Sequence, residues 1–449
     1  MAVMADFDDR SSLGGRISRF ANVGATAAGL ATRFAAARLS GNYDANATAA
    51  GLREALGGLK GPVMKMAQIL STVPGAVPEE YAAELAQLQA NAPSMGWSFV
   101  KRRMSGELGP DWRSKYTTFS ETAVHAASLG QVHRATLPDD RDVAVKLQYP
   151  GMASAVDSDL DQLDFALKAM RAWDKSIDMS EIREEVADRL REELDYTLEA
   201  KHMALFRHML ADWPDTHVPD SIPELSTNRL LTMTWLPGTP LMDAKDAPQE
   251  TRDRLAIALF HTWYVPLHRY GAIHGDPHLG NYTARPDQSM NLLDFGAIRI
   301  FPPRFIGGVV DLYRGLWSGN RDQIVHAYEK WGFTGLSNEM IDTLNIWARF
   351  LYRPLLTDAA TSIEAEGMSA DFGRETAMKV HAELKKQGTI TVPREFVFMD
   401  RAAIGLGGVF MRLRARANWH RMFEALIEGF TEERLATAQH EAMASAGMA

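Results

Sequence analysis

An aspartate, an asparagine five residues on, and a second aspartate thirteen residues beyond that constrain this chain more than any other feature. They lie in His274-Gly275-Asp276-Pro277-His278-Leu279-Gly280-Asn281 and Leu292-Leu293-Asp294-Phe295-Gly296. The residue types suit one chemistry. Asp276 can orient or deprotonate a nucleophile. The amide oxygen of Asn281 and the carboxylate of Asp294 can hold magnesium, a hard cation that takes oxygen ligands, and so neutralise charge on a phosphate in transfer. His274 and His278 would suggest a softer metal, but with oxygen donors in register they read as structural. A simpler role for Asp276, capping the next helix, leaves Asn281 and Asp294 unexplained.

Composition narrows the classes. With 449 residues the chain is long enough for two or three packed units. Its formal charge of −9 argues against nucleic acid as a partner. It has no cysteine, which removes disulfides, thiolate metal sites and thiol nucleophiles. The acidic start, Met-Ala-Val-Met-Ala-Asp-Phe-Asp-Asp-Arg, does not read as a secretory signal. No apolar run reaches the roughly 18 residues that a spanning helix needs. The expected location is therefore cytoplasmic, with peripheral contact at the inner membrane. Arg16, Arg19, Arg33 and Arg38, interleaved with Leu13, Ile17, Phe20 and Phe34, could lie on an anionic surface, although Gly14, Gly15, Gly24 and Gly29 weaken a helix there.

Residues 45–72 read as an interrupted helix whose second part begins at Pro62 and places Lys65 and Gln68 on one face. Glu79–Ala90 reads as another helix, and 91–97 as a linker. Residues 116–149 are the clearest β region. Strands are expected at Tyr116–Val124, Gln131–Leu137 and Asp142–Tyr149, with a small-residue turn, His125-Ala126-Ala127-Ser128-Leu129-Gly130, between the first two. Helical stretches follow at about 154–173 and 180–211. Arg229–Trp235 reads as a strand that Leu236-Pro237-Gly238 breaks. From about 250 onward the chain reads as mainly helical.

The order and spacing of Asp276, Asn281 and Asp294 are similar to the catalytic and metal-binding loops of protein kinases. Val143-Ala144-Val145-Lys146 is similar to their lysine-bearing strand. Lys146 would contact nucleotide phosphates, and it needs an acid to hold it. Asp195 and Glu199 share a helix face, so either could serve, while Glu193 points to roughly the opposite side. A continuous helix cannot aim Glu193 and Asp195 at one ligand. Either the helix breaks there or the two acids do different jobs. Met233 and Trp235, at the end of the strand before the break, are candidate nucleotide contacts, together with the turn 126–130. That turn has alanine and serine where kinases have glycines. Methyl groups restrict the backbone near a phosphate, which biases the site away from ordinary protein phosphorylation.

Together these residues resemble the UbiB family of atypical kinases, the AarF-like group linked to ubiquinone (coenzyme Q) biosynthesis. The resemblance covers roughly residues 50–430. Lys65-Met66-Ala67-Gln68 is similar to the family's Lys-x-Gly-Gln signature, with Ala67 for glycine. His125–His133 is similar to its Ala-rich loop, with His125 where alanine is usual. Glu193-Leu194-Asp195 is similar to its Glu-x-Asp motif, and Glu199 falls where the lysine's partner lies. The resemblance implies an α+β, helix-rich, two-lobed atypical-kinase-like fold. It would have an N-terminal helical extension over the nucleotide site (1–95), a small lobe with a helical insertion (96–236) and a helical large lobe (237–449). It implies that Lys65, Gln68, Glu193 and Asp195 are autoinhibitory, and that ATP or ADP and Mg2+ are the cofactors. Its other implied partners are a lipid or quinone precursor, an anionic membrane surface and other coenzyme Q biosynthesis proteins. Two further readings share part of the pattern: a small-molecule phosphotransferase of the aminoglycoside or choline kinase type, and a nucleotide-gated lipid-binding scaffold without turnover.

Overall fold

The structure is a computed structural model, and it describes residues 94–126, 129–152, 187–188, 190–276, 278–333, 335–362 and 394–448. The helices expected before residue 93 and at 154–173 lie outside the described residues. The fold is α+β. The chain divides into two compact units: one holds residues up to Glu199 together with Ser221–Trp235, and the other holds Ala200–Asp220 and everything from Leu236.

In chain order, the first unit holds α1 (Trp97–Leu108), β1 (Thr118–Phe119), β2 (His125–Ala126), β3 (Gly130–Thr136), β4 (Asp142–Gln148) and the first turn of α2 (Tyr196–Met209). The rest of α2 and β5 (Thr216–His217) count with the second unit, and β6 (Leu230–Thr234) returns to the first. The sheet runs β1-β3-β4-β6, with β2 also paired to β3, and every pairing is antiparallel. Of the strand expected over 116–124, only Thr118–Phe119 is strand, and the second short strand, β2, falls at His125–Ala126, inside the expected turn. Both pair with β3, but the backbone bends between them, where Ser120 Oγ donates to Thr122 O at 2.7 Å.

β4 is an inner strand of this sheet, and its side chains alternate between faces. Val143, Val145 and Leu147 are fully buried in one apolar cluster with Phe99, Val100 and Met104 of α1. Lys146 and Gln148 therefore point to the opposite face. Sequence reading missed α1, whose buried stripe is only Phe99, Val100 and Met104 among polar residues. Just before α1, Met95 is clasped by Gln131 of β3. Its N–H donates to Gln131 Oε1 at 2.7 Å, and its carbonyl accepts from Gln131 Nε2 at 3.1 Å. Gln131 Nε2 also meets His133 Nε2 at 2.8 Å, and His133 Nδ1–H donates to Ser120 O at 2.8 Å.

The second unit continues with β7 (Thr239–Pro240), α3 (Gln249–Tyr270), β8 (Ala272–His274), β9 (Tyr282–Ala284), β10 (Met290–Leu292) and β11 (Ile298–Ile300). It then runs through α4 (Pro303–Ser318), α5 (Arg321–Lys330), α6 (Asn338–Tyr352), β12 (Thr361–Ser362), α7 (Arg394–Leu413), β13 (Arg416–Ala417), α8 (Trp419–Ile427) and α9 (Glu432–Ser445). Short ladders β5-β10-β9-β7 and β11-β8 frame the loops that carry Asp276, Asn281 and Asp294. The 22-residue α3 is stopped by Gly271, whose φ of +66° is the left-handed region that glycine enters freely, and whose N–H caps Leu267 O at 3.0 Å. The stop delivers the chain directly into β8 and His274. Inside α3, His268 is buried and its Nδ1–H donates to Tyr264 O at 3.0 Å. Burial pushes its imidazole down to about 4.

Candidate functional site

In the first unit, the helical backbone at 190–193 does not run on into α2. The last turn tightens, with Leu194 N bonded to Arg191 O at 3.2 Å and Asp195 N to Glu192 O at 3.0 Å. The Leu194 carbonyl, which a helix end would leave without an intrahelical partner, accepts from Gln148 Nε2 at 2.9 Å. Tyr196 N–H donates to Asn228 O at 3.2 Å. Asp195 then caps the new helix, its Oδ1 accepting from the amides of Thr197 at 3.0 Å and Leu198 at 3.1 Å. The helix does break at Glu193-Leu194-Asp195, so the two acids belong to different helical segments.

The new helix carries Glu199 in its first turn. Lys146 Nζ donates to Glu199 Oε1 at 2.6 Å and to Oε2 at 2.9 Å. The lysine side chain is 16% exposed and the glutamate 2%. Glu199, rather than Asp195, is thus the acid that grips the strand lysine. The Tyr196 ring centroid lies 5.2 Å from the same Nζ, within cation–π reach. The Tyr196 hydroxyl occupies space that only glycine at 130 leaves open. A Cβ there would stand 2.7 Å from that hydroxyl and 2.6 Å from Leu147 O. Around the turn, Ala126 pairs with Gln131, and the carbonyl of buried Leu129 accepts from Tyr149 N at 2.9 Å. Ala127, Ser128, Lys65 and Gln68 lie outside the described residues. Met233 sits on β6 opposite Ala144 and is buried. Trp235 follows β6, its N–H donates to Asp142 O at 2.9 Å, and the Arg134 guanidinium lies 5.2 Å from its ring centroid.

In the second unit the two loops are tied by backbone. His274 is buried, and its Nε2–H donates to Asp294 O at 2.5 Å. The other ring nitrogen, Nδ1, faces Asp276 N at 3.4 Å. A carbonyl can only accept, so this tautomer serves both contacts, and His274 is structural as expected. Gly275 N donates to Ala297 O at 2.6 Å and Leu293 N to Asn281 O at 3.0 Å. Within the first loop, Asp276 Oδ1 accepts from His278 N at 3.2 Å, and Gly280 N donates to His278 Nδ1 at 3.1 Å. Asn281 Nδ2 donates to Asp276 O at 3.1 Å. That contact fixes the amide and leaves its oxygen as the atom to offer a cation. In the second loop Asp294 Oδ1 accepts from Gly296 N at 2.9 Å. Phe295 is fully buried against Phe206, and its carbonyl accepts from His202 Nδ1 at 3.0 Å.

An ABC1 atypical kinase-like domain profile matches residues 87–328. This chain belongs to the ABC1, or UbiB, family of atypical kinases. It is 31% identical over 299 residues to the mitochondrial atypical kinase coq-8 of Caenorhabditis elegans, covering 64% of this chain and 39% of that one. It is 34% identical over 251 residues to the mitochondrial atypical kinase COQ8 of Saccharomyces cerevisiae, covering 55% of this chain and 50% of that one. The chain thus spans half or less of the length of these two relatives. Among solved structures, the erythromycin complex of Rv3197 from Mycobacterium tuberculosis aligns at 29% identity with a TM-score of 0.59, over 83% of this chain and 93% of that one. The fold is accordingly kinase-like.

Within this ABC1 chain, Lys146 and Glu199 are gathered in the first unit, and Asp276, Asn281 and Asp294 share the tied loops of the second. Sequence reading missed three residues: Gln148, Tyr196 and His202. Gln148 carried a usable signal, because it lies two positions after Lys146 on one strand and so on the same face. Tyr196 and His202 carried none, since their partners are backbone and ring contacts made far away in sequence.

Proposed function

We propose that this chain is a Mg-ATP-binding atypical kinase or ATPase that supports ubiquinone biosynthesis, works at a membrane surface and has little activity toward proteins in trans. The single observation that carries the reading is the bidentate Lys146–Glu199 pair, 2.6 and 2.9 Å. A half-buried strand lysine held by a buried helix glutamate is what phosphate contact in a kinase-like site requires. The donor set of the second unit fits magnesium. Asp294 and Asn281 supply hard oxygen atoms, and among the described residues no group of three or more His, Asp or Glu side chains forms a softer or closed metal cage. A cation with few protein ligands suits magnesium, which keeps waters and takes substrate phosphates. When bound, it would neutralise phosphate charge. Lys146 would bind phosphate oxygens, with ATP or ADP as the nucleotide. Asp276 would orient the attacking nucleophile and accept its proton.

The limited trans activity rests on the Ala-rich turn, whose methyl groups stiffen backbone that glycine would leave free. The ubiquinone role rests on the resemblance and on family membership, as do a lipid or quinone-precursor ligand and partner proteins of the same process. Among the described residues no helix is long and apolar enough to cross a membrane, so surface contact through the Arg16–Arg38 segment is the proposed mode.

The test is magnesium-dependent phosphate release from ATP by the purified protein, with and without anionic liposomes, beside Asp294→Asn as the blank. Release that the variant lacks, and that liposomes raise, supports the reading. No release above the blank in either condition overturns the ATPase assignment.

A further inference from the structure

Lys146 and Gln148 stand on the same face of one strand, and each reaches a different point near the start of α2. Lys146 takes Glu199, and Gln148 takes the Leu194 carbonyl at 2.9 Å. Between those points lie the helix break and the Asp195 cap. We infer that Gln148 is a positioning residue that fixes the register of α2 so that Glu199 meets Lys146. This rests on the proposed role of that pair in nucleotide binding.

The backbone makes the register unforgiving. Glu199 N bonds to Asp195 O at 3.0 Å, so Glu199 sits one helical turn from the cap. A slip of one residue turns a helical side chain by about 100° and would swing the carboxylate off the lysine. The cap alone does not prevent such a slip, because Asp195 moves with the helix it caps. Gln148 belongs to the sheet, and its own position is held firmly. Its N–H donates to Arg229 O at 3.1 Å, its carbonyl accepts from Arg103 Nε at 3.1 Å, and it is 2% exposed. It therefore ties the break to the strand that carries the lysine. The Tyr196 N–H to Asn228 O contact ties the next residue to the turn before β6. Without the Gln148 amide, the Leu194 carbonyl would be left at a tightened helix end with a donor missing, a state that relaxes by shifting the backbone.

The test compares the full chain with Gln148→Met, which keeps the volume and loses the donor. Gln148→Asn, which keeps an amide but falls one methylene short, covers the case in which the Met variant does not fold. Val100→Ala, in the apolar cluster on the opposite face of the sheet, is the control for lost stability alone. Two readouts are taken: Mg-ATP affinity, and the rate at which an amine-acylating reagent labels Lys146 in the absence of nucleotide. Expected are affinity lower by about tenfold and faster labelling of Lys146 in the Gln148 variants, with neither change in Val100→Ala. Wild-type labelling in the Gln148 variants, or equal acceleration in Val100→Ala, overturns the inference. If the wild-type chain binds no Mg-ATP, the proposed function falls, and the labelling arm still decides whether Gln148 positions the pair.

Discussion

The candidate residues of the first unit and those of the second are held in opposite ways. In the first unit, Lys146 and Glu199 are 53 residues apart, and the half-buried lysine meets a buried carboxylate. In the second, Asp276, Asn281 and Asp294 lie within one short stretch and are arranged mostly by backbone hydrogen bonds. The first set is therefore part of its unit's core energetics. The second is a pair of loops held largely through main-chain amides and carbonyls. Substitutions in the first set should cost stability and function together, and those in the second should cost function alone.

The largest effect should come from Lys146→Met, which leaves Glu199 buried without its cation. Removing one partner of a buried pair costs about 3–5 kcal/mol. Denaturant unfolding should show that loss together with loss of Mg-ATP binding, and a variant of unchanged stability would break the contrast. Next comes a pH effect in the second unit's helical core. His268 titrates at about 4 in the folded chain and at 6.5 ordinarily, so the unfolded chain binds the proton first as pH falls. Stability is full above pH 6.5 and declines between about 6.5 and 4, by up to about 3 kcal/mol. His268→Gln should flatten that decline in unfolding measured at pH 7 and pH 5. An unaltered slope would place the acid sensitivity elsewhere.

Gly130→Ala should cost about 1–3 kcal/mol, because its Cβ meets Leu147 O at 2.6 Å and the Tyr196 hydroxyl at 2.7 Å. Mg-ATP affinity should fall with it, and an alanine accepted without loss would show that β3 yields there. The smallest effect on stability belongs to Asp294→Asn. An asparagine oxygen still accepts from Gly296 N, so unfolding should move by less than about 0.5 kcal/mol while magnesium-dependent nucleotide binding disappears. Unchanged Mg-ATP affinity in that variant would remove Asp294 from the metal assignment.

The same contrast explains what the sequence disclosed. The loops of the second unit are local, so their residue types and spacing alone brought Asp276, Asn281 and Asp294 into view. The lysine strand was legible from its alternation and its hairpin. The choice between Asp195 and Glu199 was not, because it turns on where a helix breaks. Nothing in Glu193-Leu194-Asp195 punctuates a helix as proline or glycine would. The break is held by Gln148 from a strand 46 residues earlier. α1 was hidden for a related reason, its apolar stripe being too narrow to stand out from its charged neighbours. Gly130 is the one glycine in the turn expected to contact nucleotide, and the packing of Tyr196 and Leu147 is a second reason for glycine there.

The clasp of Met95 by Gln131 also bears on how the first unit holds together. Gln131 is the neighbour of Gly130, so the entry to α1 is fastened one residue from the glycine that meets Tyr196. The clasp closes a loop of chain between residues 36 apart, an entropic cost met once and shared by every contact inside that loop.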